Sequence, residues 1–354
     1  MVIVGEFWAG ATGYGLAEGF RRLGWAVQEV DRGRYGVGAG RSLPLRVLAR
    51  LFTKSFACAY RQKILDECRA LHADVLLVVK GVDLSASLLD EVKAGGTRTA
   101  MYYPDYMFNY HGVYEDSFRG YDLFATTKTF QVPWLRQRLP GGWIEHVAHG
   151  YVDGVHAPAF ASQGHVAYAH DVLYAGNHSA YKQRWLEDLL RLGPGLDLAV
   201  IGNRWREQRP QLAIPSAHII GERIGVGYAQ AIQAARINIA LHLGPTNSEW
   251  QDLVSTRTFE IPACKGFMLH IDNDEVREYF QPGREIDVFS SPEELHDKIA
   301  FYLVRPELRE KMIERAYARC VPAYGYASKS VRLQQLMGER GWLEAAGQQD
   351  GDVA

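Results

Sequence analysis

The sequence predicts an α/β protein of two doubly wound domains facing a central cleft, each a parallel sheet with helices on both faces. Three observations carry that expectation. Short apolar runs alternate with amphipathic stretches along nearly the whole chain, as repeated βα units require. The run ADVLLVVKG at 73–81 is apolar without alternation, which suits a strand buried on both faces. The chain has 354 residues, more than one ordinary core accommodates, so two domains of about 150–200 residues are expected.

The first domain is expected over 1–160. VIVG is a strand, EFWAGATGYG a glycine-rich turn, LAEGFRRLGW a helix and AVQEVD the next strand. A helix over 44–71 leads into the apolar run. LLDEVKAGG then reads as a helix stopped by glycine, followed by strands in TRTAMYYPD, YDLFATTK and WIEHVAHG. Gly, Pro, Ala and His crowd 151–165, which reads as a linker. The second domain is expected over 166–325. Its strands are DVLYAGN, LDLAVIGN, AHIIGERI, RINIALHL and FMLHID, with helices in AYKQRWLEDLLRLG, VGYAQAIQAA and STRTFEIPACKG. SPEELHDKIAFYLV opens with Ser291 as N-cap, Pro292 as first helical residue and Glu294 three residues after the cap. PELREKMIERAYARC is the next helix, and a last one near 328–340 is expected to cross back onto the first domain. Such a pair of domains places a ligand between them, at the carboxyl ends of the strands.

Composition narrows the function classes. The chain is 47% apolar and 23% charged, as in soluble globular proteins. A formal net charge of −2 provides no overall attraction to nucleic acid or anionic membrane. Cys58, Cys68, Cys264 and Cys320 form no CxxC, which argues against a zinc ribbon or disulfide framework and suits a reducing cytoplasm. The opening MVIVG is no signal peptide, and no apolar run approaches the ~20 residues of a membrane span. The histidines show no HExxH spacing, so no metal site is predicted.

Several features carry chemistry. Gly10, Gly13 and Gly15 follow the first strand as GxxGxG rather than the dinucleotide GxGxxG, with Asp31 ending the next strand. They read as a tight turn, an NAD loop or a loop facing the cleft. The stretch 45–65 carries Arg46, Arg50 and Lys54 on one helical face, either solvated or set against an anionic membrane surface or acidic acceptor. YYPDYMFNYHGVYED interleaves aromatics with Asp105, Asn109 and His111, an arrangement suited either to a sugar or to an ordinary aromatic loop. His149 sits at the carboxyl end of a strand. Lys182 and Arg184, at a strand-to-helix junction, suit a diphosphate. In DLVSTRTFEIPACKGF, Glu260 lies one turn from Arg257, which makes a salt bridge the simplest reading.

The runs STRTFEIPACKGFMLH and EYFQPGREIDVFSSPEELHDKIAFYLVRPELREKM resemble the spore maturation protein B-type glycosyltransferases, relatives of the large retaining glycosyltransferase group. The matching residues are Ser255, Arg257, Phe259, Glu260, Gly266, Phe280, Gly283, Glu285, Glu293 and Glu294. ATTKTFQVPWL and VAHGYVDGVHAP resemble it more loosely. The resemblance implies two Rossmann-like domains of the glycosyltransferase B (GT-B) fold, a nucleotide-sugar donor in the cleft, and neither metal nor other cofactor. Asp252 and Glu260 have the eight-residue separation of that group's acid pair. By similarity, Glu260 accepts from the ribose hydroxyls, and the N–H groups near Ser255 and Thr256 meet the diphosphate. Where the family often has glycine, this chain has Lys265, with Gly266 one place later. Pro262 is expected to delay or bend the helix and so free donors at its start.

The expectation is a cytoplasmic glycosyltransferase acting with retention on an acceptor hydroxyl of a saccharide, protein, lipid-linked glycan or, least favoured, DNA. Gly13, Lys182, Arg184, Ser255, Thr256, Arg257 and Glu260 would bind the nucleotide sugar, and His149, Asp105 and Asp252 would serve the chemistry. The alternatives are a nucleotide-sugar epimerase, an NAD-dependent oxidoreductase, and a non-catalytic nucleotide-sugar-binding or coat-assembly protein.

Overall fold

Two six-stranded sheets, parallel throughout, organise the chain. The computed structural model describes residues 1–35, 43–159, 168–208, 213–244 and 250–343. One unit comprises Met1–Phe7, Leu16–Ala148 and Ala327 onward; the other comprises Trp8–Gly15 and His149–Tyr326. The junction expected at 160–166 thus stands against a division at Ala148/His149. Tyr151 is the physical reason: it already exchanges backbone hydrogen bonds with Tyr324 and Tyr326 of the second unit.

In the first unit the strands are β1 (Val2–Gly5), β2 (Gln28–Asp31), β3 (Val75–Val79), β4 (Arg98–Tyr103), β5 (Leu123–Thr126) and β6 (Ile144–His146), ordered β2-β1-β3-β4-β5-β6. Every residue of β3 is buried, as its unbroken apolar run requires. The helices are α1 (Thr12–Arg22), α2 (Leu43–Ala70), α3 (Ala86–Ala94) and α4 (Gln131–Arg138). The basic face of Arg46, Arg50 and Lys54 falls on α2, where the side chains of 43–54 lie outside the described residues.

The aromatic stretch is mostly core. Its Tyr103 and Phe108 are buried and, with Phe118 and Phe124 beyond the stretch, meet ring to ring at centroid distances of 4.8–6.4 Å. Their area stabilises the sheet instead of facing a sugar.

The second unit contains β7 (His170–Ala175), β8 (Leu198–Ile201), β9 (Ile219–Gly221), β10 (Ala235–Ala240), β11 (Met268–Ile271) and β12 (Asp287–Phe289). Their order is β12-β11-β10-β7-β8-β9, so the chain reverses direction across the sheet between β7 and β10. Its helices are α5 (Ala180–Leu192), α6 (Gly225–Gln233), α7 (Thr256–Ala263), α8 (Asp274–Tyr279), α9 (Pro292–Leu303) and α10 (Pro306–Cys320). Ser291 caps α9, accepting from the Glu294 N–H at 3.1 Å. The last helix, α11 (Tyr326–Glu339), runs almost wholly in the first unit, where the Ser330 hydroxyl donates to the Leu16 carbonyl at 3.2 Å.

Candidate active site

Two glycines shape the carboxyl edge of the second sheet. A Cβ on Gly176, just past β7, would stand 2.6 Å from the Tyr174 hydroxyl and 3.0 Å from the Arg257 guanidinium. A Cβ on Gly202, just past β8, would stand 2.2 Å from the Gly176 carbonyl, and its φ of +141° favours glycine in any case. The two loops therefore close on each other, and the Trp205 indole N–H fastens them by donating to the Gly176 carbonyl at 2.8 Å. Beside them opens a hollow of about 250 Å³ lined by Gly176, Asn177, Glu222, Arg223, Gly225, Tyr228, Thr256, Arg257 and Glu260, with Trp8 and His156. It lies at the carboxyl ends of β7, β8 and β9, beside the reversal, where doubly wound sheets bind ligands.

Two helices begin at this hollow. Gly225 is the first residue of α6 and Thr256 of α7, and helix starts present unfilled N–H donors and a partial positive charge. Ser255, extended at φ −137°, is the N-cap of α7, and its own N–H donates to the Thr258 hydroxyl at 3.2 Å. Behind Thr258 lies a buried histidine pair. His242 Nε2 and His270 Nε2 are 2.8 Å apart, and Thr258 Oγ1 is 3.0 Å from the latter. Burial pushes His270 down to about 4, so it sits there neutral. Pro262 neither delays nor bends the start of α7. It stands in the final turn, so the donors at the start are simply those every helix leaves open.

Glu260 is 8% exposed. Its Oε2 accepts from the Tyr228 hydroxyl at 3.0 Å, and its Oε1 stands 3.9 Å from His156 Nδ1. That second contact is not an ion pair. His156 Nδ1 accepts from the Val152 N–H at 3.0 Å, so it holds a lone pair, and the ring proton sits on Nε2. Burial also lowers the His156 pKa, with Glu260 opposing. Arg257 does not pair with Glu260 among the described residues. Its guanidinium packs against Gly176 and Tyr174, so the simplest sequence reading of Glu260 as half of a salt bridge is wrong. Burial disfavours the Arg257 charge, but Tyr174, Tyr228, Glu260 and Asp252 outweigh it and raise its pKa.

Lys182 is buried on the first turn of α5, its Nζ donating to the Asn177 carbonyl at 3.1 Å. Burial, aided by the Arg257 charge and opposed by Asp252, pushes it down to about 7. Asp252 is buried nearby, its N–H donating to the Leu243 carbonyl at 3.2 Å. Of the expected residues only Thr256, Arg257 and Glu260 line the hollow; Ser255, Lys182 and Asp252 stand just behind that lining and the others stand apart from it. Arg184 is exposed on α5, and His149 is buried without lining it. Asp105 belongs to the first unit, where it pairs with Lys80 at 2.7 Å. Gly13 lies inside α1, whose helix starts at Thr12. Gly15 is there for packing, because a Cβ would stand 2.6 Å from the Tyr326 ring. Asp31, the acid an NAD site would use, accepts from the Gly33 N–H at 2.9 Å within its own turn.

Residues 179–338 match a family described as glycosyl transferase-like. No curated protein matches the chain. Among solved structures, sucrose-phosphate synthase from Thermosynechococcus elongatus aligns over 96% of this chain and 98% of its own at 12% identity, with a TM-score of 0.67. A glycosyltransferase from Rickettsia africae ESF-5 aligns over the same shares at 13% identity and a TM-score of 0.61. A T4 phage BGT mutant in complex with UDP-glucose does so at 13% identity and 0.58. The fold is GT-B. The matched span runs from the N-cap of α5 nearly to the end of α11 and includes Glu222, Tyr228, Thr256, Arg257 and Glu260. The family match on this fold supports sugar transfer as the class of activity.

Proposed function

We propose that the protein transfers a sugar from a nucleotide-sugar donor to an acceptor hydroxyl, without a metal ion and with retention at the anomeric carbon. The observation that carries this reading is Glu260, a buried carboxylate held at Oε2 by Tyr228 and lining a hollow where two helices begin. A ribose offers adjacent hydroxyls to such an acceptor. The diphosphate is assigned to the open N–H groups at the start of α7, from Thr256 onward, and to Arg257 and Lys182. His156 adds an Nε2–H donor that the sequence reading passed over.

In the transfer, the bond from the anomeric carbon to the diphosphate oxygen breaks, and a bond to the acceptor oxygen forms on the same face. The acceptor's proton passes to the leaving phosphate oxygen. The charge gained by the diphosphate is met by fixed N–H dipoles and cations, the largest kind of stabilisation such sites supply. Asp252, whose charge acts on Lys182, is assigned to the transferred sugar. The run from Ser255 to Glu294 favours a spore maturation protein B-type enzyme working in the cytoplasm, with a saccharide as the first acceptor to try. No helix among the described residues is long and apolar enough to cross a membrane.

Thermal shifts against UDP-, GDP-, CMP-, TDP- and ADP-sugars, with UDP-glucose first, test the donor site. One of them is expected to raise the melting temperature, to be hydrolysed slowly, and to yield a product of unchanged anomeric configuration by proton NMR. A flat panel on folded protein defeats the reading, and an inverted product removes retention alone.

A further inference from the structure

The first unit holds a larger hollow, about 650 Å³, at the end of its sheet opposite to the one doubly wound folds normally use. Three neighbouring strands begin there. Arg98 opens β4, Asp122 immediately precedes β5, and Trp143 immediately precedes β6. Arg119 comes from the turn before β5, and Arg340 and Trp342 follow the end of α11.

Its charge is unbalanced. Arg98, Arg119 and Arg340 line it against the single acid Asp122. That acid is already occupied, since it accepts from the Thr99 N–H at 2.9 Å and the Thr99 hydroxyl at 3.2 Å. No ion pair to the three arginines occurs among the described residues. The Arg340 guanidinium lies 4.6 Å from the centre of the Trp143 ring. Trp143 is itself fixed, its N–H donating to Glu145 at 2.9 Å and its ring meeting Trp342 edge to face at 6.0 Å. Guanidinium forks match carboxylate and sulfate oxygens, and indole surfaces pack on the C–H faces of sugar rings. The volume is within the ordinary range for a small-molecule site, about 300–1,000 Å³.

We propose that this hollow is a second binding site, for a saccharide bearing carboxylate groups. An adjoining hollow shares Phe118, Arg119 and Leu139 with it and repeats the motif, with Arg138 lying 3.8 Å from the Trp134 ring centre. Glu115 and Asp116 line that second hollow and balance its two arginines. An oligosaccharide therefore fits, with its acidic group over Arg98, Arg119 and Arg340.

Calorimetric titration of the full chain with trigalacturonic acid tests this, with maltotriose, inorganic phosphate and phosphatidylglycerol vesicles as counterparts. Trigalacturonate is expected to bind about tenfold or more tightly than maltotriose, one good charge-assisted contact being worth that much. The exposed double variant Arg119→Gln/Arg340→Gln should lose that preference with an unchanged melting temperature. No binding, equal binding of maltotriose, tighter binding of phosphate or vesicles, or full retention by the variant each overturns the proposal. A UDP titration of the same variant reads the second unit separately, so failure here leaves the donor-site reading standing.

Discussion

The Tyr228 hydroxyl donates to Glu260 Oε2 at 3.0 Å and so holds in place a carboxylate that lines the hollow. Burial, with the Glu260 charge adding to it, raises the Tyr228 pKa well above its ordinary value, so the phenol stays a donor throughout the working range. Glu260→Gln should weaken UDP binding by about tenfold or more, since a hydrogen bond to a charged group is worth roughly 1.5–3 kcal/mol. Tyr228→Phe should weaken it by a smaller factor, through a less firmly placed carboxylate. Calorimetry on folded variants decides it, and unchanged affinity in Glu260→Gln removes the ribose assignment.

His156 is a donor locked in one tautomer. Its Nδ1 is committed to the Val152 N–H, and burial keeps the ring neutral by lowering its pKa. His156→Phe should cost about three- to tenfold in nucleotide-sugar affinity, the worth of one ordinary hydrogen bond. The ratio of wild-type to variant affinity should stay nearly level from pH 7.5 to 8.5, because a pKa lowered from 6.5 leaves the ring neutral there. A ratio that climbs as the pH falls would mean that His156 binds as a cation.

Most strands were legible as short hydrophobic stretches between turns, although Asp287–Phe289 was not read as one, and it was the family resemblance that singled out Ser255, Thr256 and Glu260. What local pattern could not convey was partnership. Tyr228 on α6 and His156 ahead of β7 reach Glu260 on α7 only through tertiary packing, and nothing near either residue in the sequence points to the other. The same non-local packing turned Tyr103 and Phe108 into core, gave Gly15 to Tyr326, and put Gly176 rather than Glu260 beside Arg257. His156 did carry one weak signal, a histidine early in the Gly/Pro-rich stretch 151–165 read as a linker.

Lys265 occupies the position at which the related pattern has glycine, and the backbone shows why. Its φ is +57°. Its N–H donates to the Pro262 carbonyl at 3.0 Å, and the Gly266 N–H donates to the Ile261 carbonyl at 2.9 Å. This is the Schellman ending of α7, which favours glycine at the left-handed residue. Lys265→Gly should relieve about 1 kcal/mol of backbone cost. Against that it gives up the Glu314 contact at 2.7 Å, worth about 0–1 kcal/mol at the surface. Denaturant unfolding should therefore show stability equal to wild type or slightly higher. Gly266→Ala should lose about 1–3 kcal/mol, because its Cβ would stand 2.6 Å from Ile232 Cγ2 and 2.8 Å from Asn238 Nδ2. If Gly266→Ala is neutral, the tight seat under α7 does not exist.

Lys182 links the donor site to pH. Its folded pKa is about 7, against an ordinary 10.5. Below pH 7 the amine is charged in both folded and unfolded chains, and the full burial penalty applies. Between 7 and 10.5 the unfolded chain holds more protons, so stability rises with pH, by roughly 1.4 kcal/mol per unit at most. Above 10.5 it gains nothing further. Lys182→Met removes this dependence, so it should exceed wild type in stability at pH 6 and lose that advantage by pH 10. Taking the difference between the two proteins cancels the other titrating groups, His270 among them. A diphosphate beside Lys182 should restore its charge, and UDP binding at pH 8 should then take up protons in wild type but not in Lys182→Met. Calorimetry in buffers of unequal ionisation heat measures that uptake. If the stability difference stays level from pH 6 to 10, the amine is not held near neutrality; if proton uptake is the same in both proteins, the diphosphate does not sit against it.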